Sequence, residues 1–98
     1  MSEKSASALQ GDELHRQFTK LEGWILAEDR HLEKEYRFPD FREALAYVNR
    51  LGEVAEREGH HPDIFLTWGR VKVTLWTHSV GGLTAKDFAL AAEADGVR

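Results

Sequence analysis

Three histidines are the side chains in this sequence best suited to proton transfer near neutral pH. His60 and His61 are adjacent, and His78 follows further along the chain. An imidazole has an ordinary pKa of about 6.5, so it can both give and take protons near neutrality. If the segments on either side of Gly69 pair as a hairpin, facing residues have numbers that sum to about 138. That register predicts that the three imidazoles converge at one end of a sheet.

Each of these histidines also has a simpler interpretation. An adjacent pair on a loop is most often a pair of exposed polar residues, and a histidine at a strand end is most often solvated. Three histidines and a water molecule can also bind catalytic zinc. Adjacent side chains usually diverge, however, so a zinc site formed by His60, His61 and His78 is the least favoured interpretation.

Acidic and aromatic residues near the histidines can be read in two ways. Asp87 follows Thr84 by three residues, the spacing of a helix capping box, and we favour that structural role over catalysis. Glu56 is most simply a solvated helix end, although the helix dipole does not favour a negative charge there. Trp68 and Trp76 could be core residues or a platform for a flat heterocycle. We expect Trp68 to be packed.

The composition excludes several classes of function. The chain has 98 residues, with 13 Lys+Arg against 17 Asp+Glu and a formal net charge of -4. An acidic balance argues against a nucleic-acid partner, whose binding surface needs clustered basic residues. The sequence has no Cys, which excludes disulfides, thiolate metal sites and cysteine nucleophiles. Walker, dinucleotide-binding and serine-elbow motifs are absent as well.

No targeting or membrane segment is recognisable. Residues 1–7 lack the basic and apolar regions of a signal peptide. The longest apolar runs are only a few residues, far short of the roughly 20 needed to cross a bilayer. We therefore expect a cytoplasmic protein with no membrane partner.

The central helix has the clearest periodicity. Asp40 is its predicted N-cap, and Gly59 suits the left-handed position after its end. Tyr47 and Val54 extend the apolar surface, so we expect them to touch a second surface and to be candidates for an oligomer interface. The predicted core-facing stripe consists of Phe41, Ala44, Leu45, Val48, Leu51 and Ala55.

The remaining elements form two helix–hairpin units. Gly23 ends a first helix, and Thr84 begins the last one. The order α-β-β-α-β-β-α predicts an α+β fold, a four-stranded antiparallel sheet with three helices on one face. Residues 1–10 are expected to be disordered, and residues 11–96 to form a single domain. The predicted strands cover residues 24–27, 31–38, 63–68 and 70–78.

Several short motifs together resemble the pterin-4a-carbinolamine dehydratase family. The resemblance extends from about Leu9 to Ala94, and the elements follow the order of the family. Gly23-Trp24 after the first helix supports it. The motif residues are Glu56-x-x-x-His60-His61-Pro62, Trp68, Thr77-His78, Gly81-Gly82-Leu83-Thr84 and Asp87.

This resemblance implies a hydro-lyase that dehydrates 4a-hydroxytetrahydropterin to the quinonoid dihydropterin, in pterin recycling. The pterin is then the substrate, no cofactor or metal is needed, and an aromatic amino acid hydroxylase is the functional partner. Homodimers or homotetramers are implied as well. Residue by residue, the active-site histidines of the family match His60, His61 and His78, and its substrate-binding or supporting positions match Glu56, Pro62 and Asp87.

The implied reaction suits these residues, because it needs a proton donor at the leaving hydroxyl and a base at the ring N5. We hypothesise that His61 and His78 share the acid and base roles, and that His60 orients the pterin or the leaving hydroxyl. The alternative is a non-catalytic oligomeric interaction or assembly cofactor on the same fold. The presence of all three histidines favours the enzyme. A metal-dependent hydrolase would instead require bound zinc.

Overall fold

The predicted order of elements is confirmed in a computed structural model that describes residues 7–98. Hydrogen-bonded neighbours in the sheet follow the order β1-β2-β4-β3, and all pairs are antiparallel. The helices are α1 (Gly11–Phe18), α2 (Phe41–Glu58) and α3 (Ala85–Gly96), and the strands are β1 (Ile25–Ala27), β2 (His31–Arg37), β3 (Asp63–Thr67) and β4 (Arg70–Leu75).

The hairpin of β3 and β4 sets the position of the histidines. Asp63 faces Thr74 and Thr67 faces Arg70, so facing residue numbers sum to 137. The predicted strand 70–78 is too long, because β4 ends at Leu75 and a short 3-10 helix covers His78–Val80. This turn closes where Thr77 bridges to Gly82, and Gly81 takes a left-handed backbone with φ of 64°.

Strand alternation separates a core face from a solvent face. Leu32 and Tyr36 on β2, and Val71, Val73 and Leu75 on β4, are buried on the helix side. The opposite face of β2 carries the charged residues Glu33, Glu35 and Arg37, as expected for a strand with one side in solvent. Period-two patterning therefore assigns both faces correctly.

Helix α2 packs on the sheet through a face that is rotated from the predicted stripe. Tyr47 and Val54 are buried at 0% and 2% exposure, so their assignment to a second, outer surface is wrong. Phe41 and Leu45 instead remain 43% and 40% exposed. The tyrosine is accommodated in the core because its hydroxyl donates to the backbone carbonyl of Ala94 at 3.0 Å.

The last turn of α3 is joined to the sheet by one carboxylate. Asp95 accepts hydrogen bonds from Trp24 Nε1 at 3.1 Å, Lys34 Nζ at 2.8 Å and the Tyr36 hydroxyl. Burial raises the pKa of Asp95, but these three donors outweigh burial and hold that pKa below its ordinary value of 3.8. Burial and the bond to Asp95 raise the pKa of Tyr36, and burial raises the pKa of Tyr47 to about 12.

The predicted disordered segment, residues 1–10, lies partly outside the described residues. Within it, Leu9 packs against the core, and its backbone amide donates to the Leu83 carbonyl at 2.7 Å. In residues 7–98, no helix is long and apolar enough to cross a membrane.

Candidate active site

The end of α2 delivers the first two histidines. Gly59 caps the helix with a left-handed backbone, φ 68° and ψ 26°, which glycine adopts without steric cost. The amides of Gly59 and His60 both donate to the Ala55 carbonyl, at 2.9 and 3.2 Å. Pro62 then precedes β3, where a missing N–H costs no ladder bond. The cap therefore fixes where the backbone of His60 and His61 leaves the helix.

Asp87 is the buried centre of the site. Its side chain has 0% exposure and lies in the first turn of α3. Oδ1 is 2.6 Å from His60 Nε2, and Oδ2 accepts from the Thr77 hydroxyl at 2.7 Å and the Thr84 backbone amide at 2.9 Å. The predicted capping box is confirmed. The same carboxylate also contacts a histidine, so it has a second role beyond the cap.

Two threonine hydroxyls complete this network. The one proton of the Thr77 hydroxyl is directed to Asp87, so Thr84 must donate across their 2.9 Å contact. Thr84 Oγ1 in turn accepts from the Lys86 amide at 3.3 Å. Each polar group in this cluster therefore has a partner, which fixes the direction of every hydrogen bond.

These contacts determine the tautomer of His60. A carboxylate can only accept, so the hydrogen at its contact with His60 sits on Nε2. His60 Nδ1 is then the ring nitrogen that can accept a proton. The ring is 12% exposed, which leaves an edge accessible to a small molecule.

His61 points to a different environment. Its Nε2 is 2.7 Å from Glu56 Oε2, and the two side chains are 60% and 78% exposed. His61 lines a depression of about 450 Å³ beside α2, together with Pro62 and Ile64. His60 lines another, of about 260 Å³, beside Lys86. As expected for neighbours in the chain, the two side chains diverge.

His78 is supported by aromatic rings. Its imidazole is 4.0 Å from the Trp76 ring, centroid to centroid, and the planes differ by 30°. Trp76 also contacts His31 at 4.8 Å and donates from Nε1 to Asp63 Oδ2 at 3.3 Å. Thr77 lies between Trp76 and His78 in the chain, and its side-chain hydroxyl donates to Asp87, so this residue links the group to the His60 network.

The three predicted histidines are connected through the chain and the Thr77–Asp87 bond, and the predicted convergence of their rings stays a prediction. In residues 7–98 no hydrogen bond or ring contact joins any two of these three imidazoles. The described part of the chain also contains no group of three His, Asp or Glu arranged to hold a metal ion. Each of the three imidazoles has its own partner: Asp87 for His60, Glu56 for His61 and the Trp76 ring for His78.

One predicted residue lies elsewhere, and one was missed. Trp68 is 68% exposed in the turn between β3 and β4, at the opposite end of that hairpin from His78, so the expectation that it is packed is wrong. His31 was not singled out from the sequence, although it contacts Trp76. Only the pairing of β2 with β4 brings it there, and a local pattern does not reveal that pairing.

Comparison with known proteins identifies the family. A family model described as pterin 4 alpha carbinolamine dehydratase matches residues 7–97. A protein of Alkaliphilus metalliredigens is 50% identical over 88 residues, 89% of this chain and 79% of that protein. One of Trichormus variabilis is 54% identical over 85 residues, 86% of this chain and 90% of that protein. Both are provisionally named pterin-4-alpha-carbinolamine dehydratase.

Two solved structures resemble this fold. One, described as a transcriptional coactivator/pterin dehydratase from Brucella melitensis, has a TM-score of 0.87 at 30% identity, covering 93% of this chain and 98% of that one. The other is described as a pterin dehydratase-like protein and RuBisCO assembly factor of the alpha-carboxysome. Its TM-score is 0.66 at 25% identity, covering 76% of this chain and 88% of that one.

Proposed function

This chain belongs to the pterin 4 alpha carbinolamine dehydratase family, and we propose that it dehydrates a 4a-hydroxytetrahydropterin to the quinonoid dihydropterin and water. The observation that carries the proposal is the His60–Asp87 pair, a nearly buried imidazole held at 2.6 Å by a fully buried carboxylate. A fixed imidazole beside other histidines is what an acid–base reaction near neutral pH requires.

The proposed reaction moves two protons and breaks one C–O bond. A general acid protonates the hydroxyl on C4a, which leaves as water. The N5 electron pair forms the C4a=N5 double bond, and a general base takes the N5 proton. No electrons enter or leave overall, and we propose that no metal or cofactor takes part because proton transfer alone completes the step.

We assign a role to each histidine from the groups that contact its ring. His60 orients the substrate through Nδ1, because Asp87 holds its Nε2. His61 and His78 share the acid and base roles, and Glu56 supports His61. Pro62 holds the backbone between His61 and β3. Each positioned acid or base contributes about 10²–10⁴-fold to such a reaction.

The direct test is dehydration of chemically generated 4a-hydroxytetrahydropterin, followed by absorbance in single turnovers. We expect a rate well above the spontaneous one, unaffected by a chelator, and a fall of about 10²-fold or more in His61→Ala and in His78→Ala. His15→Ala, an exposed histidine on α1, is the matched control and keeps the wild-type rate.

The result can contradict the proposal at several levels. A wild-type rate equal to the spontaneous background would reject the activity. A rate abolished by the chelator would reject the metal-free reaction. A full rate in His78→Ala would reject the assigned role of that histidine.

An exposed apolar surface supports a second candidate function, a non-catalytic interaction or assembly role. Phe41 and Leu45 on α2 are large, apolar and partly exposed, and such patches often mark protein contacts. The similar structures described as a coactivator and as an assembly factor belong to proteins with interaction roles.

We propose that the exposed apolar surface of Phe41 and Leu45 joins copies of the chain into a homodimer or homotetramer.

The wider setting is proposed from the reaction. An aromatic amino acid hydroxylase, which produces 4a-hydroxytetrahydropterin, is the functional partner, and the cytoplasm is the expected location. Co-production of such a hydroxylase with this chain would increase hydroxylation turnover if the two act in sequence.

A further inference from the structure

Trp76 contacts two imidazoles just past the end of β4. Its ring lies 4.0 Å from that of His78, centroid to centroid, with planes 30° apart, which is a tilted stack. The His31 ring meets it more nearly edge-on, at 4.8 Å and 62°. One histidine of the candidate site therefore rests on an indole that the proposed acid–base chemistry does not use.

The indole is itself held from both neighbouring strands. Its Nε1 donates to Asp63 Oδ2 at 3.3 Å, and Asp63 is the first residue of β3. His31 is the first residue of β2, which pairs with β4 on the other side. These two contacts favour one orientation of the indole relative to the sheet.

The three candidate histidines differ in what restrains their rings. His60 is hydrogen-bonded to Asp87, and His61 to Glu56. The His78 ring makes no hydrogen bond or ion pair within residues 7–98, and it sits in a three-residue 3-10 helix. The contact with the Trp76 ring therefore restrains the His78 ring, as a carboxylate restrains the rings of His60 and His61.

We propose that Trp76 is a positioning residue that orients the His78 imidazole for proton transfer, and that Asp63 orients Trp76. This inference rests on the proposed dehydratase function. An acid or base must come within about 2.6–3.2 Å of the group it serves, so a ring free to rotate spends little time in the productive orientation. The indole acts on the reaction through His78 and not as a surface for the substrate.

The stack is tested without any activity measurement. An aromatic face shifts protons above it upfield in NMR spectra, so the His78 ring protons should lie upfield in wild type. We expect Trp76→Ala to remove this shift, Trp76→Phe to retain part of it, and Trp68→Ala to leave it unchanged. Trp68 is the matched control because it is the exposed tryptophan at the far end of the same hairpin.

Kinetics of the same variants test the positioning role. We expect kcat of Trp76→Ala to fall by about tenfold with little change in KM, a part of the ~10²–10⁴-fold contribution of a positioned acid or base. Trp76→Phe should restore most of kcat because it keeps an aromatic face. Trp68→Ala should have wild-type kinetics.

The role of Asp63 has its own pair of variants. Asp63→Asn keeps an acceptor oxygen for the indole N–H and should preserve the His78 shift, whereas Asp63→Ala should reduce it. An unchanged shift in Asp63→Ala would overturn this part of the proposal.

Failure of the inference differs from failure of the proposed function. An inactive wild type rejects the function, and the presence or absence of the upfield shift then decides on orientation of His78 by Trp76. An active wild type without that shift overturns the inference. So does a Trp76→Ala variant that folds, loses the shift and keeps full kcat.

Discussion

The side chains of His60 and His61 show how neighbouring residues acquire different chemistry. His60 faces a buried carboxylate, and its ring is 12% exposed, whereas His61 faces an exposed carboxylate and is 60% exposed itself. The pairing of Asp87 with His60 depends on the cap of α3, since the helix start places the carboxylate. A pair of identical residues in the sequence thus becomes one fixed and one accessible imidazole.

The substitution Asp87→Asn should separate the two roles of this residue. Asparagine keeps one acceptor oxygen for Thr77 and Thr84 but presents an NH₂ group to His60, whose Nε2 must then accept. The Nδ1–H tautomer would follow, and we expect kcat to fall by about 10²-fold with a loss of about 1 kcal/mol in the free energy of unfolding.

Single-turnover kinetics, urea unfolding and ¹⁵N NMR of the His60 ring check this expectation. Asp12→Asn, in the exposed first turn of α1, is the matched control. Full activity in Asp87→Asn would show that the tautomer of His60 does not matter to the reaction.

At the scale of elements, helix ends carry the site. The C-terminal cap of α2 precedes His60, and the N-terminal cap of α3 contains Asp87. Helices end where backbone groups lack internal partners, so side chains and glycine turns there are already constrained by capping. The candidate site therefore uses residues at helix ends, where capping already fixes the backbone of the chain.

Gly59→Ala should destabilise the fold through backbone strain alone. No atom lies within 4 Å of the position a Cβ would take, so only the left-handed φ of 68° opposes a side chain. We expect a loss of about 1–2 kcal/mol in the free energy of unfolding, measured by urea denaturation. Gly59→Asn should lose less, because asparagine tolerates this conformation. Equal losses in both variants would point to a cause other than φ.

The Asp95 contact at the end of α3 should make stability depend on acid pH. Its carboxyl pKa is lower in the folded chain than its ordinary value of 3.8, so the folded state favours the ionised form. The ionised Asp95 therefore stabilises the fold fully above about pH 3.8, the ordinary pKa of the group, and this stabilisation is lost as the pH falls through the lower pKa of the folded state. Asp95→Asn should therefore be less stable than wild type at neutral pH and lose less stability below pH ~4.

Thermal unfolding from pH 7 to pH 2.5 measures this dependence. Tyr36→Phe, which removes one of the three donors, should give a slope between those of wild type and Asp95→Asn. Parallel acid slopes in all three proteins would mean that Asp95 does not contribute in this way.

At the scale of the whole molecule, the sequence predicts the order of elements and the faces of the strands. Period-two alternation in β2 and β4 is local and strict, and it identifies the buried side correctly. The helical pattern of α2 does not identify its buried face as well. Tyr47 lies beside the predicted core-facing stripe, yet its ring is buried and its hydroxyl donates to the Ala94 carbonyl. His31 and Trp76 meet only through the order of strands in the sheet, which no local pattern contains.

Leu45→Lys tests whether the outer face of α2 joins copies of the chain. Leu45 is 40% exposed, and a lysine there can reach water in a free subunit but not in a packed interface. We expect a smaller species by light scattering coupled to size-exclusion chromatography. Ile25→Lys, an exposed apolar residue on β1, is the matched control and should keep the wild-type mass. An unchanged mass in Leu45→Lys would exclude this face.

The carboxylate shared by a helix cap and a histidine couples the local opening of α3 to the position of His60. When the first turn of this helix frays, the Thr84 amide loses its acceptor and His60 loses its anchor together. The Thr84 amide, which donates to Asp87 Oδ2, exchanges with solvent when this bond opens. A ligand that needs His60 held in place must therefore slow deuterium uptake at the start of α3, even without touching the helix. Occupancy of the candidate site is thus readable as protection of the Thr84 amide, which β3 and β4 separate from His60 in the sequence.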